Sequence, residues 1–199
     1  MAYRLLRQDA VPDACAALYP EGVAIAKLCS GQHLLDGVNE PVRVYLASSG
    51  VVPTDFIERP FVVVSERLKS VLDAVGVDNV QYFRAQLQQE LSNETLSGFW
   101  LANIIGRIAC VDPLRSRYEL VDGEPSALEA FSIDPARTLG MSIFRLAEDP
   151  RMIVISPRVQ AALNAASLRR VLLQDPEAYD RGLPISTVAA IPSAPGGVS

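Results

Sequence analysis

The chain has 199 residues, of which 49% are hydrophobic and 21% charged, with a formal net charge of −5 and a pI of about 4.9. That composition excludes a disordered or fibrous chain and supplies enough apolar material for a real core. An acidic surface repels phosphate backbones, and no basic stripe offsets it; Arg169 and Arg170, with Arg158 upstream, read as solvated surface charge.

The three cysteines, Cys15, Cys29 and Cys110, form no C-x-x-C pair, which disfavours a disulfide scaffold and a zinc knuckle. Reduced thiols in the cytoplasm are the simplest expectation. The N-terminus MAYRLLRQDA lacks an apolar signal core, and the apolar runs are strand-sized rather than membrane-sized.

In chain order, residues 2–7 read as a first strand and residues 9–40 as short elements punctuated by Pro and Gly. Residues 42–47 (VRVYLA) alternate as a strand does, and SSGVVPTDFIERP reads as a loop. Phe61–Val64 is a short β-branched run, read as a buried strand, with Ser65 placed to cap a helix. Leu68, Val71, Leu72 and Val75 share one helical face, and Gly76 stands where a helix would end. Val80–Phe83 reads as the next strand. Residues 84–96 are polar and read as a helical turn or loop, and residues 99–112 as one long strand bent at Gly106. Tyr118–Val121, Leu128–Ile133 and Ser142–Leu146 follow as strands, with VDGE at 121–124 as a hairpin turn. Met152–Ile155, Ser156 and Pro157 repeat the strand, cap and first helical position, and Val159, Ala162, Leu163 and Ala166 repeat the apolar face. Val171–Leu173 closes the series. The Pro/Ala/Gly-rich residues 184–199 read as a tail.

Two of these segments match without a gap. FVVVSERLKSVLDAVGVDNVQYF lies over MIVISPRVQAALNAASLRRVLLQ, with Val63 on Val154, Ser65 on Ser156, Arg67 on Arg158, Leu72 on Leu163, Ala74 on Ala165 and Val80 on Val171. Either the strand–helix–strand unit occurs twice in one protein, or capped junctions of this kind simply look alike. The fold class expected is α+β, with mixed or antiparallel sheets and a few short helices, in one domain over residues 1–183.

The search for chemistry is nearly empty. His33 is the only histidine, so a catalytic triad or a zinc site has almost nothing to build on. There is no phosphate-binding glycine loop and no nucleophile elbow. No catalytic, metal or cofactor residue is assigned. Glu90 and Glu94 are four apart and would share a helix face, as solvated charge or as an acidic patch. Trp100, the only tryptophan, is either core or an interface anchor.

Three blocks together carry a resemblance: the segment at 61–83, FWLANIIGRIACVDPLRSRYEL with Asn103 and the Asp112–Ser116 spacing, and SIFRLAEDPRMIVISPRVQAAL. Over residues 60–173 the chain resembles a bacterial family, with a myxobacterial namesake, of immunity proteins from polymorphic toxin systems. The resemblance implies a cognate protein toxin, basic or nuclease-like, blocked by direct binding. It offers no catalytic residue to carry over and no cofactor is expected, while the acidic composition argues against a nucleic-acid partner and the strand-sized apolar runs against a membrane. On that expectation Asp55, Glu58, Glu90 and Glu94 form an acidic rim and Trp100 an anchor. The competing expectations are a small-molecule enzyme that uses carboxylates and a scaffold that self-associates through a strand edge.

Overall fold

The computed structural model describes residues 2–9, 17–35, 37–46, 54–89, 95–121 and 124–180. Glu90, Glu94, Cys15, the turn residues 122–123 and the tail 184–199 lie outside the described residues. The elements run β1 (Arg4–Gln8), β2 (Ala17–Pro20), α1 (Ile25–Leu28), β3 (Val42–Leu46), β4 (Phe56–Ile57), β5 (Val62–Ser65), α2 (Glu66–Ala74), β6 (Val80–Gln89) and β7 (Thr95–Ile104). They continue as β8 (Arg107–Ile108), β9 (Arg117–Val121), β10 (Glu124–Glu129), β11 (Ile143–Leu146), β12 (Ile153–Ile155), α3 (Pro157–Ala165) and β13 (Val171–Gln174). The fold class is α+β.

A six-stranded sheet has the order β2-β3-β6-β7-β5-β4, and a five-stranded sheet the order β13-β1-β12-β11-β8. β9 and β10 form a separate hairpin. The pairings are antiparallel except β3 with β6 and β8 with β11.

The strands alternate between separate cores. Val62 and Val64 of β5, Ile153 and Ile155 of β12 and Leu6 of β1 join Leu68, Leu72, Val159 and Leu163 of the two long helices in one central cluster. Val63 and Leu101 point the other way, into a cluster with Phe61, Val44 and Leu28. Val154 and Leu5 point into a third, with Phe131, Phe144 and Cys110. Strands covered on both faces must be apolar at every position, which is why VVV and IVI run without alternation.

The two matching segments are equivalent in three dimensions. In each, the two strands of the unit are parallel and one antiparallel strand lies between them: β7 between β5 and β6, β1 between β12 and β13. A further antiparallel strand flanks each, β4 on β5 and β11 on β12. The register agrees pair for pair. Val64↔Trp100, Val63↔Leu101 and Val80↔Ile104 in one half correspond to Ile155↔Arg4, Val154↔Leu5 and Val171↔Gln8 in the other. Both helices start on a serine in the same extended conformation, φ −72°, ψ 160° at Ser65 and φ −73°, ψ 161° at Ser156, and each hydroxyl accepts from the amide three residues on.

Several expectations are corrected. Residues 84–89 are not a turn or loop but continue β6, with Ala85 and Leu87 buried between more exposed neighbours. The alternation is real but its apolar members are few and small. Phe56–Ile57 pairs with β5 inside the stretch read as a loop. Residues 99–112 are not one strand. β7 ends at Ile104, Gly106 takes φ 107°, and β8 belongs to the other sheet. Only a residue without a Cβ adopts that φ cheaply. The strand expected at 128–133 lies earlier, at Glu124–Glu129, and the chain leaves it at Ala130 with φ 23°.

Candidate partner-binding surface

Asp55 and Glu58 do not form a rim. Asp55 is 4% exposed and Glu58 7% exposed. One Asp55 oxygen accepts from the Ser65 hydroxyl at 2.6 Å and the other from the Arg169 amide at 2.6 Å. Glu58 lies 2.7 Å from Arg7 Nε in a buried ion pair, and its other oxygen accepts from the Gln8 amide at 3.0 Å. Both carboxylates join the two halves of the fold. Their partners lie far away in the chain, so a polar stretch there reads as surface. His33 is an exposed loop residue, and the described residues hold no group of three or more possible metal ligands.

Trp100 is half-buried on the face of β7 that meets α2. Its Nε1–H donates to Glu66 at 2.5 Å, and Lys69 Nζ lies 5.2 Å from the Trp100 ring centre and 5.0 Å from that of Tyr82. Lys69 also pairs with Asp73 at 2.6 Å. Tyr82 meets Trp100 edge-on at 6.5 Å, and its hydroxyl, buried without a partner, is pushed well up by burial and then by Asp73. Glu66, Lys69 and Asp73 come from the exposed side of α2, a signal invisible in the apolar pattern.

The second half of the fold serves as an internal control. At the positions of Glu66, Lys69, Asp73, Tyr82 and Trp100 it carries Pro157, Gln160, Asn164, Leu173 and Arg4. The same framework stands without the cluster, so the framework does not demand it.

Beyond α2, no helix among the described residues covers this face of the sheet. Arg84 is the register partner of Trp100, and Gln86, Gln88, Arg43 and Tyr45 continue the same face across β6 and β3. Tyr19 stacks on Tyr45 at 4.6 Å and is 46% exposed. Arg84 is held by Glu40 at 3.2 Å. A hollow of about 330 Å³ opens between Pro41, Glu66, Arg84, Phe99 and Trp100. Beside it, β5 pairs with β7 only from Phe99 to Ala102, so Thr95–Gly98 have β6 on one side and, among the described residues, no strand on the other. Trp100 and Arg84 at the hollow, with Tyr45 and Tyr19 further along the face, are of the residue types that dominate binding energy at protein interfaces. Among the described residues this face presents no nucleophile with an adjacent base.

Comparison with family models gives one match, the immunity protein family (Imm11), over residues 9–177. The chain belongs to that family. Its members are described as immunity proteins. Comparison with curated proteins gives no match. No helix among the described residues is long and apolar enough to cross a membrane.

Proposed function

We propose that this Imm11 protein binds a cognate bacterial toxin and neutralises it by direct contact, with the Trp100 face as the contact surface. The observation that carries the reading is the family match over residues 9–177. The net charge of −5 suits a basic partner, such as a toxin that acts on nucleic acid, because opposite net charges speed encounter. A stable complex would bury about 1,200–2,000 Å² in total. The face running from Trp100 to Tyr19 offers aromatic and guanidinium groups to its centre.

The test is co-expression with the product of the adjacent reading frame. That product alone should arrest growth, this chain should restore it, and the two should co-purify. A harmless neighbour, or a toxic one against which this chain gives neither protection nor a complex, would overturn the reading.

A further inference from the structure

A second concavity, of about 590 Å³, lies on the far side of the five-stranded sheet between β8, β9 and the residues after β11. Its volume falls in the range of small-molecule sites. Arg107, Arg137 and Glu148 line it, with Tyr118, Val111 and Ala147 between them. Each charged side chain is tied to the wall by one atom. Arg107 Nη2 donates to the Ala147 carbonyl at 2.9 Å, Arg137 Nη1 donates to the Val111 carbonyl at 3.2 Å, and Glu148 Oε1 accepts from the Val111 amide at 3.1 Å. Beyond these bonds the two guanidiniums are exposed to solvent, and the three side chains have no further hydrogen-bond partner among the described residues. Among the described residues neither arginine has a carboxylate within ion-pair distance, and Glu148 Oε2 is shielded from solvent with no hydrogen-bond donor.

This set selects by charge. A bare anion would satisfy the arginines but would be placed beside the Glu148 carboxylate. A bare cation would satisfy Glu148 but would face two guanidiniums. A group carrying both an acceptor anion and an N–H donor offers a partner to all three. We propose that this cavity binds a small zwitterion of the α-amino-acid class, with its carboxylate toward Arg107 and Arg137 and its ammonium toward Glu148. The site is separate from the Trp100 face, so its occupancy and the toxin-binding reading stand or fall independently.

Calorimetry on the full chain tests this, with the standard α-amino acids added one at a time and acetate, inorganic phosphate and methylammonium as half-probes. At least one amino acid should bind while the half-probes do not. Glu148→Gln keeps an oxygen for the Val111 amide, so its thermal melt checks the fold, and it should weaken binding about tenfold or more. Arg107→Gln with Arg137→Gln should do the same. If no amino acid binds, the proposal fails. If phosphate or acetate binds equally well and Glu148→Gln tightens it, the cavity is a plain anion site and the proposal is overturned.

Discussion

Ser65 donates its hydroxyl hydrogen to the buried Asp55 carboxylate at 2.6 Å while accepting from the Leu68 amide at 3.1 Å, so one atom caps α2 and holds the carboxylate that reaches the Arg169 amide of the other half. Its counterpart Ser156 accepts from the Val159 amide at 3.5 Å and meets no carboxylate. Ser156→Ala should cost about 1 kcal/mol, the ordinary value of a lost cap. Ser65→Ala also strands a buried carboxylate oxygen, and should cost about 2–3 kcal/mol. Urea unfolding of both variants measures the difference. Equal losses would show that Asp55 finds another donor.

The ends of the same two helices differ in a way that can be improved. α2 closes with Gly76 at φ 73°, its amide donating to the Asp73 carbonyl at 2.9 Å and the Val77 amide to the Leu72 carbonyl at 3.0 Å. The equivalent residue after α3 is Ser167, at φ 49°. A side chain in that region is strained, and glycine relieves it. Ser167→Gly should therefore stabilise the protein by about 0.5–1 kcal/mol, read as a higher urea midpoint with an unchanged slope.

Arg7 and Glu58 form an ion pair with side chains 2% and 4% exposed, at 2.7 Å. Arg7 Nη1 also donates to Gln174 at 3.2 Å, and its guanidinium lies 5.6 Å from the Tyr179 ring centre. Removing one partner leaves the other charge buried. Arg7→Met or Glu58→Leu should each cost about 3–5 kcal/mol, and the double variant Arg7→Met/Glu58→Leu much less than the two together. Additive losses in a double-mutant cycle would mean that the pair is not coupled.

How much of this was legible follows from where each signal resides. The β5–α2–β6 and β12–α3–β13 units could be read because continuous apolar runs, a capping serine and the helical spacing of Leu68, Val71 and Leu72 are local. That the units are equivalent was only half legible: the aligned residues suggest it, but the intervening strands β7 and β1 show no alignment and are matched only by register. Asp55 was misread as a rim residue because the Arg169 amide that holds it is 114 residues away. Arg84–Gln89 was misread because a strand between two others needs few large apolar residues when Val44 and Leu101 supply the packing across from it. Trp100 was legible as core or anchor, but not its partners, which project from the polar side of α2.

Cys110 is fully buried, and its thiol is pushed up to about 12 by burial first and by the Glu148 carboxylate next, against the opposing pull of Arg137. A raised thiol favours the neutral form in the folded state. Its contribution is therefore intact below the ordinary thiol range of about 8.5 and is lost as pH climbs toward 12. Cys110→Ala removes the titrating group. Stability of the native protein should fall more steeply than that of the variant over this alkaline window, and the two should run parallel below it. Parallel curves throughout would show that Cys110 does not couple to folding.

The Trp100 cluster separates binding from folding because the other half of the molecule folds without one. Trp100→Phe keeps an aromatic ring in the central core but loses the Nε1–H donor to Glu66 and the larger face under Lys69. Glu66→Ala removes the acceptor from an exposed position. In the isolated protein each should shift the unfolding free energy by no more than about 1 kcal/mol, the net worth of one hydrogen bond near solvent. Against the purified toxin each should weaken the complex by about 2 kcal/mol, roughly thirtyfold, as truncation at an interface centre does. Gln160→Ala, at the position equivalent to Lys69, is the control and should change neither quantity. Titration calorimetry reads the affinity and urea unfolding the stability. Wild-type affinity in both cluster variants, with the fold intact, would remove Trp100 and Glu66 from the interface centre.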